Sequence, residues 1–421
     1  MYHEFRSHWT ALLAAGTGVM PGISALPAYV LGVFAGPMTR EFGWSLGAYQ
    51  AGTLLFTLGI LLCSTGVGSL CDRYGARAVA MVGMPLGAVG VASLSLVQLP
   101  VWSWWLLMFL AALLGSGTLP TVWTRMINVL FVRRRGLALG LVLSGSGLFA
   151  LFGAPLAQRL IEVFGWRGAW LGLALLPLVA GWAVVALAFR GDDRPRTVGV
   201  APSEHSAHAA ESAGIAGLTH HEAVRQFRFW VMALGFGAVT VGVGGMNSNF
   251  VPILVSKGIG AGDAAQLFGT LGLAMAVGRL GIGFVIDRIW APGVAAAVLG
   301  LPAISAWLLI GGEVTRTDAL VAAALLGFAQ GAEYDFLAYL TARYFGMAHY
   351  GRIYGRIVIP IIIATAVGAF GVGRSKDLYG SFDAVLPVIA LLFVAGALSM
   401  LALGRYPRAF DPTPARLSAA V

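Results

Sequence analysis

Four charged side chains lie inside long apolar stretches of the sequence: Arg125, Arg279, Glu333 and Asp335. Each lies eight to ten residues from a charged residue that marks one end of its stretch. At a helical rise of about 1.5 Å per residue, this separation places all four side chains roughly 12–15 Å deep. A charge at this depth in an apolar layer is costly, so each of the four is a candidate for function.

Arg279 has the chemistry to bind an anion. Its guanidinium stays charged and can hold a carboxylate through two parallel hydrogen bonds. The alternative is that Arg279 pairs with an acid and only ties two helices together. Arg125 could add a second positive charge to the same anion, or bond backbone carbonyls near one end of its helix. We predict substrate binding by both arginines, and the sequence leaves their structural alternatives open.

Glu333 and Asp335 are candidates for proton coupling. They are two residues apart, so on a helix they point to different faces, and we expect one of them to face a central cavity. Burial favours the neutral form of a carboxyl, whereas a nearby arginine favours the charged form. An anion that arrives at Arg279 would change this balance. The alternative is an acid that remains ionised as the partner of Arg279.

Three uncharged polar side chains are further candidates for substrate contact. Tyr339 lies four residues after Asp335 and shares its helix face, whereas Tyr334 lies on another face. Either hydroxyl could bond a carboxylate or hydroxyl group, or only pack in the core. Asn247 lies in a separate apolar stretch and is the weakest of the three.

The composition is that of a membrane protein. Hydrophobic residues make up 58% of the chain and charged residues 11%, against about 25% charged residues in soluble domains. A net charge of +9 could suggest nucleic acid, but arginines at the ends of apolar stretches explain it, so we expect no nucleic-acid partner. The sequence shows no nucleophile motif, metal-ligand cluster or nucleotide loop. We therefore expect no enzyme, no cofactor and no metal.

Twelve apolar runs are each about long enough to cross a hydrocarbon core of ~30 Å. Backbone polar groups in lipid are satisfied only in helices or closed barrels, and these runs are too long and continuous for barrel strands. We therefore predict that all twelve are helices. Their approximate ranges are 9–37, 47–70, 78–98, 102–130, 136–158, 167–189, 228–255, 264–287, 292–312, 317–344, 352–374 and 384–404.

The runs divide into two sets of six. We predict an N-terminal bundle over 1–190, a linker over 191–227, a C-terminal bundle over 228–409 and a tail over 410–421. Thr219 and Glu222 have the spacing of a capping box, which predicts a short helix at the end of the linker. Most of the 27 Lys and Arg residues fall on one side if the N-terminus is cytoplasmic, so we expect both termini and the linker inside.

A short polar segment separates the second and third runs. It reads Gly-Ser-Leu-Cys-Asp-Arg-Tyr-Gly-Ala-Arg over 68–77, and a partial copy, Gly-Phe-Val-Ile-Asp-Arg, follows 215 residues later. Glycine permits close helix packing, an acid can face a helix N-terminus, and a second glycine turns the chain. The pattern resembles the signature loop of the major facilitator superfamily. The resemblance implies a gating role for Gly68, Asp72, Arg73, Gly75, Arg77, Gly283, Asp287 and Arg288.

Other segments are similar to the monocarboxylate and oxalate/formate branch of that superfamily. They are Leu31–Phe34 with Glu41–Ser45, Arg133–Gly140, Phe164–Arg167, Gly278–Arg279, and Arg343–Gly346 with Tyr350–Gly355. The resemblance implies an all-α membrane fold of two pseudo-symmetric six-helix bundles around a site that opens alternately to either side. It also implies proton symport of a small organic anion, a monocarboxylate, with Arg279 at the carboxylate. We expect a monomer in the lipid of the inner membrane.

The chain departs from this branch in ways that keep other functions open. Many monocarboxylate carriers have an aspartate where this chain has Met275, and a lysine where it has Ala28. The stretch Val358–Val372 carries no charge, whereas oxalate carriers have a lysine there. The alternatives are exchange of two carboxylates, efflux of hydrophobic compounds, and a sensor that does not transport.

Overall fold

The computed structural model describes residues 3–131, 135–188, 217–286, 288–346 and 349–407. The helices of the N-terminal half are α1 (His3–Val19), α2 (Ala25–Phe42), α3 (Leu46–Tyr74), α4 (Ala76–Ser93), α5 (Val101–Gly115), α6 (Pro120–Leu130), α7 (Arg135–Leu176) and α8 (Ala183–Ala188). Those of the C-terminal half are α9 (His220–Arg225), α10 (Phe227–Ser256), α11 (Ala261–Ile286), α12 (Ala291–Leu308), α13 (Arg316–Phe345), α14 (Tyr350–Tyr379) and α15 (Leu386–Ser399).

The described part of the chain contains nine segments that are long and apolar enough to cross a membrane. One of them, Ala138–Leu187, has 50 residues. At about 1.5 Å per residue it exceeds twice the ~30 Å thickness of a hydrocarbon core. It bends at Gly165, whose φ of 68° lies in the left-handed region. The predicted all-α membrane fold is confirmed, whereas the count of twelve crossings stays a prediction.

The first and fourth predicted spans are not continuous helices, although the sequence predicts one helix over each range. The first breaks between α1 and α2, where the chain reads Pro21-Gly22. The fourth breaks between α5 and α6, before Pro120. Proline removes a backbone donor and opens a helix. The two breaks meet, because the Ile23 amide donates to the Thr118 hydroxyl at 2.9 Å.

Two sequence motifs of the N-terminal half meet at one end of the molecule. Glu41 lies in the last turn of α2, and Trp166 and Arg167 follow the bend in α7. Trp166 Nε1 donates to Glu41 Oε2 at 2.5 Å, and Arg167 Nη1 donates to Glu41 Oε1 at 2.6 Å. These two bonds, led by that from Trp166, hold the pKa of Glu41 below its usual value. These two hydrogen bonds join the last turn of α2 to the bend in α7, which is distant in sequence.

The two halves pack against each other along three helix pairs: α3 with α14, α7 with α11, and α2 with α10. The contacts cluster at one end. A Cβ on Gly32 would lie 3.0 Å from the Ser248 carbonyl oxygen, and one on Gly47 would lie 2.5 Å from Asp377 Oδ2. We call the end that holds Gly47 and Asp377 the closed end.

The short helix predicted at the end of the linker is confirmed. Thr219 caps α9, and Glu222 completes the capping box. The Glu222 carboxylate accepts hydrogen bonds from the backbone and hydroxyl of Thr219, which lower its pKa. Residues 189–216 and the tail 410–421 lie outside the described residues, so the predicted domain boundaries stay predictions.

The topology can be tested with two cysteines in a background in which Cys63 and Cys71 are replaced by alanine. Arg225 in α9 and Glu313 between α12 and α13 are both exposed. We expect a membrane-impermeant maleimide to label Glu313→Cys from outside intact cells and Arg225→Cys only after lysis. Labelling of both cysteines from the same side would contradict the predicted topology.

Candidate substrate site

The site is positioned by direct backbone contact between α11 and α13. A Cβ on Gly327 would overlap the backbone of Leu271, and a Cβ on Gly331 would overlap the backbone of Met275. The second contact lies four residues, about one helical turn, after the first on both helices. The two helices therefore run parallel in a common register. Small residues allow this approach, as they commonly do between helices in membranes.

One turn further along the same register, Arg279 of α11 lies opposite Asp335 of α13. The Arg279 Nε atom is 3.8 Å from Asp335 Oδ2, which is an ionic contact and too long for a hydrogen bond. Arg279 Nε is buried and has no hydrogen-bond partner among the described residues. The side chains are 16% and 37% exposed. A guanidinium with an unused donor is thus in place to receive a further acceptor.

A tyrosine of the N-terminal half reaches this cluster. The Tyr29 hydroxyl of α2 donates to Met275 Sδ at 3.4 Å, and Tyr29 is 5% exposed. The charge of Arg279 acts on Tyr29 and also on Tyr354 of α14. Neither tyrosine was predicted from the sequence as a site residue. The sequence carries one signal for Tyr354, a second tyrosine one helical turn earlier at 350, and in the structure the two rings stack with centroids 5.6 Å apart.

Tyr334 joins the same group from α13. It is 37% exposed, and it interacts electrostatically with Tyr29 and Tyr354. The charge of Arg279 therefore acts on hydroxyl groups from α2 and α14. Tyr334 of α13 lies close enough to both of these hydroxyl groups to interact with them.

Glu333 and Asp335 take different partners, as their spacing predicts. Glu333 is 2% exposed and lies between α13 and α10, where the Thr240 hydroxyl donates to Glu333 Oε1. The same hydroxyl lies 2.7 Å from the Phe236 carbonyl oxygen. Asp335, by contrast, faces Arg279. The structure therefore identifies Asp335 as the acid at the arginine.

The other residues predicted to contact the substrate, Arg125, Tyr339 and Asn247, lie on three different helices. Arg125 is half-buried on α6, which packs on α1, α3, α4 and α7 of its own half. The Tyr339 ring lies 6.0 Å from the Arg343 guanidinium. Asn247 is 7% exposed, and its Oδ1 has no hydrogen-bond partner among the described residues. Substrate contact by these three side chains stays a prediction.

The signature loop lies at the end opposite to the closed end. Gly75 has a φ of 85°, which confirms the predicted glycine turn. The Arg73 guanidinium lies 5.3 Å from the Tyr74 ring, and Arg77 is half-buried at the start of α4. The Asp72 side chain and Asp287 lie outside the described residues, and Arg288 is exposed.

The close helix packing expected at the glycines of this loop is not observed. The position of a Cβ on Gly68 or Gly283 is open, with no described atom within 4 Å. The two halves meet at the other end of the molecule, so in this conformation these glycines have no close neighbour among the described residues.

The backbone contact between α11 and α13 can be tested with alanine. We expect Gly331→Ala to lower the free energy of unfolding by about 1–3 kcal/mol relative to Gly281→Ala, because the added methyl group would overlap Met275. Gly281 is a matched control on α11, since the space around it is open. Thermal unfolding in detergent measures the difference. Equal stability of the two variants would show that the helices can separate at no cost.

Comparison with known proteins agrees with this architecture. The sequence matches the model of the Major Facilitator Superfamily over residues 17–369. Human monocarboxylate transporter 11 is 26% identical over 413 residues, which are 94% of this chain and 83% of that protein. The oxalate:formate antiporter of Oxalobacter formigenes is 26% identical over 381 residues, 89% of this chain and 87% of that protein.

Solved structures share the fold. The nucleoside transporter NupG superimposes with a TM-score of 0.75 at 11% identity, over 94% of this chain and 100% of that chain. A bacterial homologue of the human lysosomal transporter Spinster, in an inward-facing and occupied conformation, superimposes with a TM-score of 0.65 at 17% identity. The match covers 96% of this chain and 94% of that chain. Because the family model covers most of the sequence, the chain belongs to the Major Facilitator Superfamily and is a transporter related to the monocarboxylate transporters.

Proposed function

We propose that the protein is a secondary transporter that moves a small organic anion, a monocarboxylate, together with a proton. The observation that carries the proposal is the Arg279 guanidinium, whose buried Nε has no hydrogen-bond partner among the described residues while Asp335 lies 3.8 Å away. A carboxylate has the charge and planar shape that this group binds best. The names of the monocarboxylate and oxalate:formate relatives support the same substrate class.

In this mechanism the substrate carboxylate replaces Asp335 as the partner of Arg279. The contact with Asp335 is long, so little hydrogen bonding is lost when the aspartate is displaced. The charge of Arg279 acts on the hydroxyl group of Tyr354, and Tyr354 in turn interacts with Tyr334. In this proposal these two hydroxyl groups supply donors for the remaining carboxylate oxygen. Tyr29 contributes from the other half, so substrate binding draws on both halves.

The proton follows from charge balance. When the substrate anion binds Arg279, Asp335 loses its cationic partner inside a membrane-spanning helix bundle. A carboxylate without a partner there is costly, so Asp335 takes up a proton and the loaded site is neutral. Release of the substrate returns Asp335 to Arg279 and frees the proton. Glu333 is committed to Thr240 and holds α13 against α10.

Alternating access supplies the transport step. The described contacts between the halves gather at the closed end, so substrate enters and leaves on the opposite side in this conformation. A rocking motion of one half against the other would then open the closed end. We propose that the protein works as a monomer in the inner membrane with both termini in the cytoplasm.

Carboxylate exchange is a second candidate function. Met275 occupies the position of an aspartate in many monocarboxylate carriers, and one relative bears the name of an antiporter. Proteoliposomes separate the two functions. Symport predicts that an inwardly directed proton gradient drives uptake of a labelled monocarboxylate. Exchange predicts uptake that depends on internal carboxylate and ignores the gradient.

Arg279→Lys tests the anion contact. Lysine keeps the charge but loses the planar pair of donors, so the protein should fold while the apparent affinity for the monocarboxylate falls about ten- to 150-fold. Arg316→Lys is the matched control, because Arg316 forms an exposed ion pair with Asp263 at 3.6 Å, away from the site. We expect that control to transport like the wild type.

The structural alternative makes the opposite forecast. If Arg279 only ties α11 to α13, the double variant Arg279→Gln with Asp335→Asn removes both charges and should restore transport. The anion-binding proposal expects this double variant to fold and remain inactive. Wild-type affinity in the double variant would rule out Arg279 as the carboxylate ligand.

Asp335→Asn tests the proton step. An amide cannot take up the proton, so we expect accumulation to lose its dependence on the pH gradient while exchange of internal for external carboxylate continues. Glu333→Gln is the control on the same helix and should keep gradient-driven accumulation. If only the Glu333 variant lost this accumulation, the coupling site would be Glu333.

A further inference from the structure

The first turn of α3 is capped by a side chain from the opposite half. Asp377 of α14 accepts a hydrogen bond from the Leu46 amide at 2.9 Å through Oδ1, and from the Gly47 amide at 2.7 Å through Oδ2. The first amides of a helix have no acceptor within it. A carboxylate is also favoured at a helix N-terminus by the helix dipole. The two bonds thus join α14 to α3 at the closed end.

The local sequence makes this approach possible. Gly47 has no side chain, and a Cβ there would lie 2.9 Å from Arg374 Cα as well as against the Asp377 carboxylate. The Asp377 side chain is 12% exposed, and Arg374 Nη1 lies 4.0 Å from its Oδ2. The carboxylate is therefore largely enclosed between the two halves, with the helix amides as its closest donors.

One turn further along α3, Gln50 makes a second connection. Gln50 is fully buried, and its Nε2 donates to the Ser248 carbonyl at 3.0 Å and to Asn249 Oδ1 at 3.1 Å. The Ser248 carbonyl is free within α10 because Pro252, four residues later, has no amide hydrogen. The hydrogen bond that Pro252 removes from α10 thus leaves a carbonyl oxygen that accepts from the Gln50 side chain of the other half.

The pseudo-symmetry of the fold repeats part of this arrangement. Glu162 of α7 precedes Asp377 by 215 residues, and Gly47 precedes Gly262 by the same 215 residues. Glu162 Oε1 lies 3.7 Å from the position of a Cβ on Gly262, near the start of α11. Each half therefore places an acid beside the first turn of a helix in the other half.

We propose that Asp377 and Gln50 form a latch that sets how readily the closed end opens. Opening requires α14 and α10 to leave α3. The amides of Leu46 and Gly47 and the carbonyl of Ser248 then exchange protein partners for water. The latch is therefore reversible, and its strength controls the ratio of closed to open molecules. Glu162 has the corresponding position at α11.

The test measures the gate itself, without substrate. Spin labels on cysteines at Leu99 and Glu313 report the distance between the halves at the closed end, in a protein with Cys63 and Cys71 replaced by alanine. Asp377→Asn retains only one of the two acceptor oxygens and loses the charge. We expect it to lower the closed-to-open ratio at least about tenfold, with a new population at longer distance. Gln50→Leu should shift the ratio in the same direction.

Asp383→Asn is the matched control. Asp383 also lies at the closed end, but it accepts from Lys257 Nζ at 2.5 Å and from the Gly311 amide at 3.2 Å, both in its own half. We expect the distance distribution of this variant to match that of the parent. A wild-type distribution in folded Asp377→Asn and Gln50→Leu, or an equal shift in Asp383→Asn, would overturn the latch. Because no substrate is present, either result is independent of the carboxylate proposal.

Discussion

Backbone contact between α11 and α13 is the constraint on which the candidate site depends. Gly327 and Gly331 carry no side chains, so the two helices approach until their backbones touch at Leu271 and Met275. A parallel register of one-turn steps then brings Arg279 to Asp335 without any further loop or insertion. Larger residues at the two glycines would separate the helices and remove the acid from the arginine. The chemistry of the site thus rests on packing one and two turns away.

A second theme is the use of backbone groups that irregular helices leave without partners. Such groups are expensive in an apolar environment, so each one needs a donor or acceptor from elsewhere. The break after α1 is satisfied by Thr118, the start of α3 by Asp377, and the carbonyl freed by Pro252 by Gln50. In the last two cases the partner comes from the other half. The same hydrogen bonds therefore satisfy the backbone groups and hold the two halves together.

The electrostatics divide two neighbouring acids between two tasks. Glu333 points to a threonine in the wall between α13 and α10, whereas Asp335 points to the arginine. Helical geometry alone separates their directions, but the neighbouring helices decide which acid meets which partner. The cross-half contact of Tyr29 with Met275 adds a phenol beside the same arginine. A site assembled in this way is sensitive to the relative position of the halves, as the proposed alternating access requires.

The sequence by itself determined the class of protein and gave candidate residues for the site. Apolar runs too long for barrel strands predict membrane helices, buried charges mark candidate functional residues, and the segment at 68–77 resembles the signature of a transporter superfamily. Tertiary structure decided which acid faces Arg279, that Tyr29 and Tyr354 join it, and that the first and fourth spans are broken. These features depend on contacts between residues far apart in the chain. The 3.6-residue period of a helix predicts which side of its own helix a side chain points to. Which residue it meets there depends on how the neighbouring helices pack.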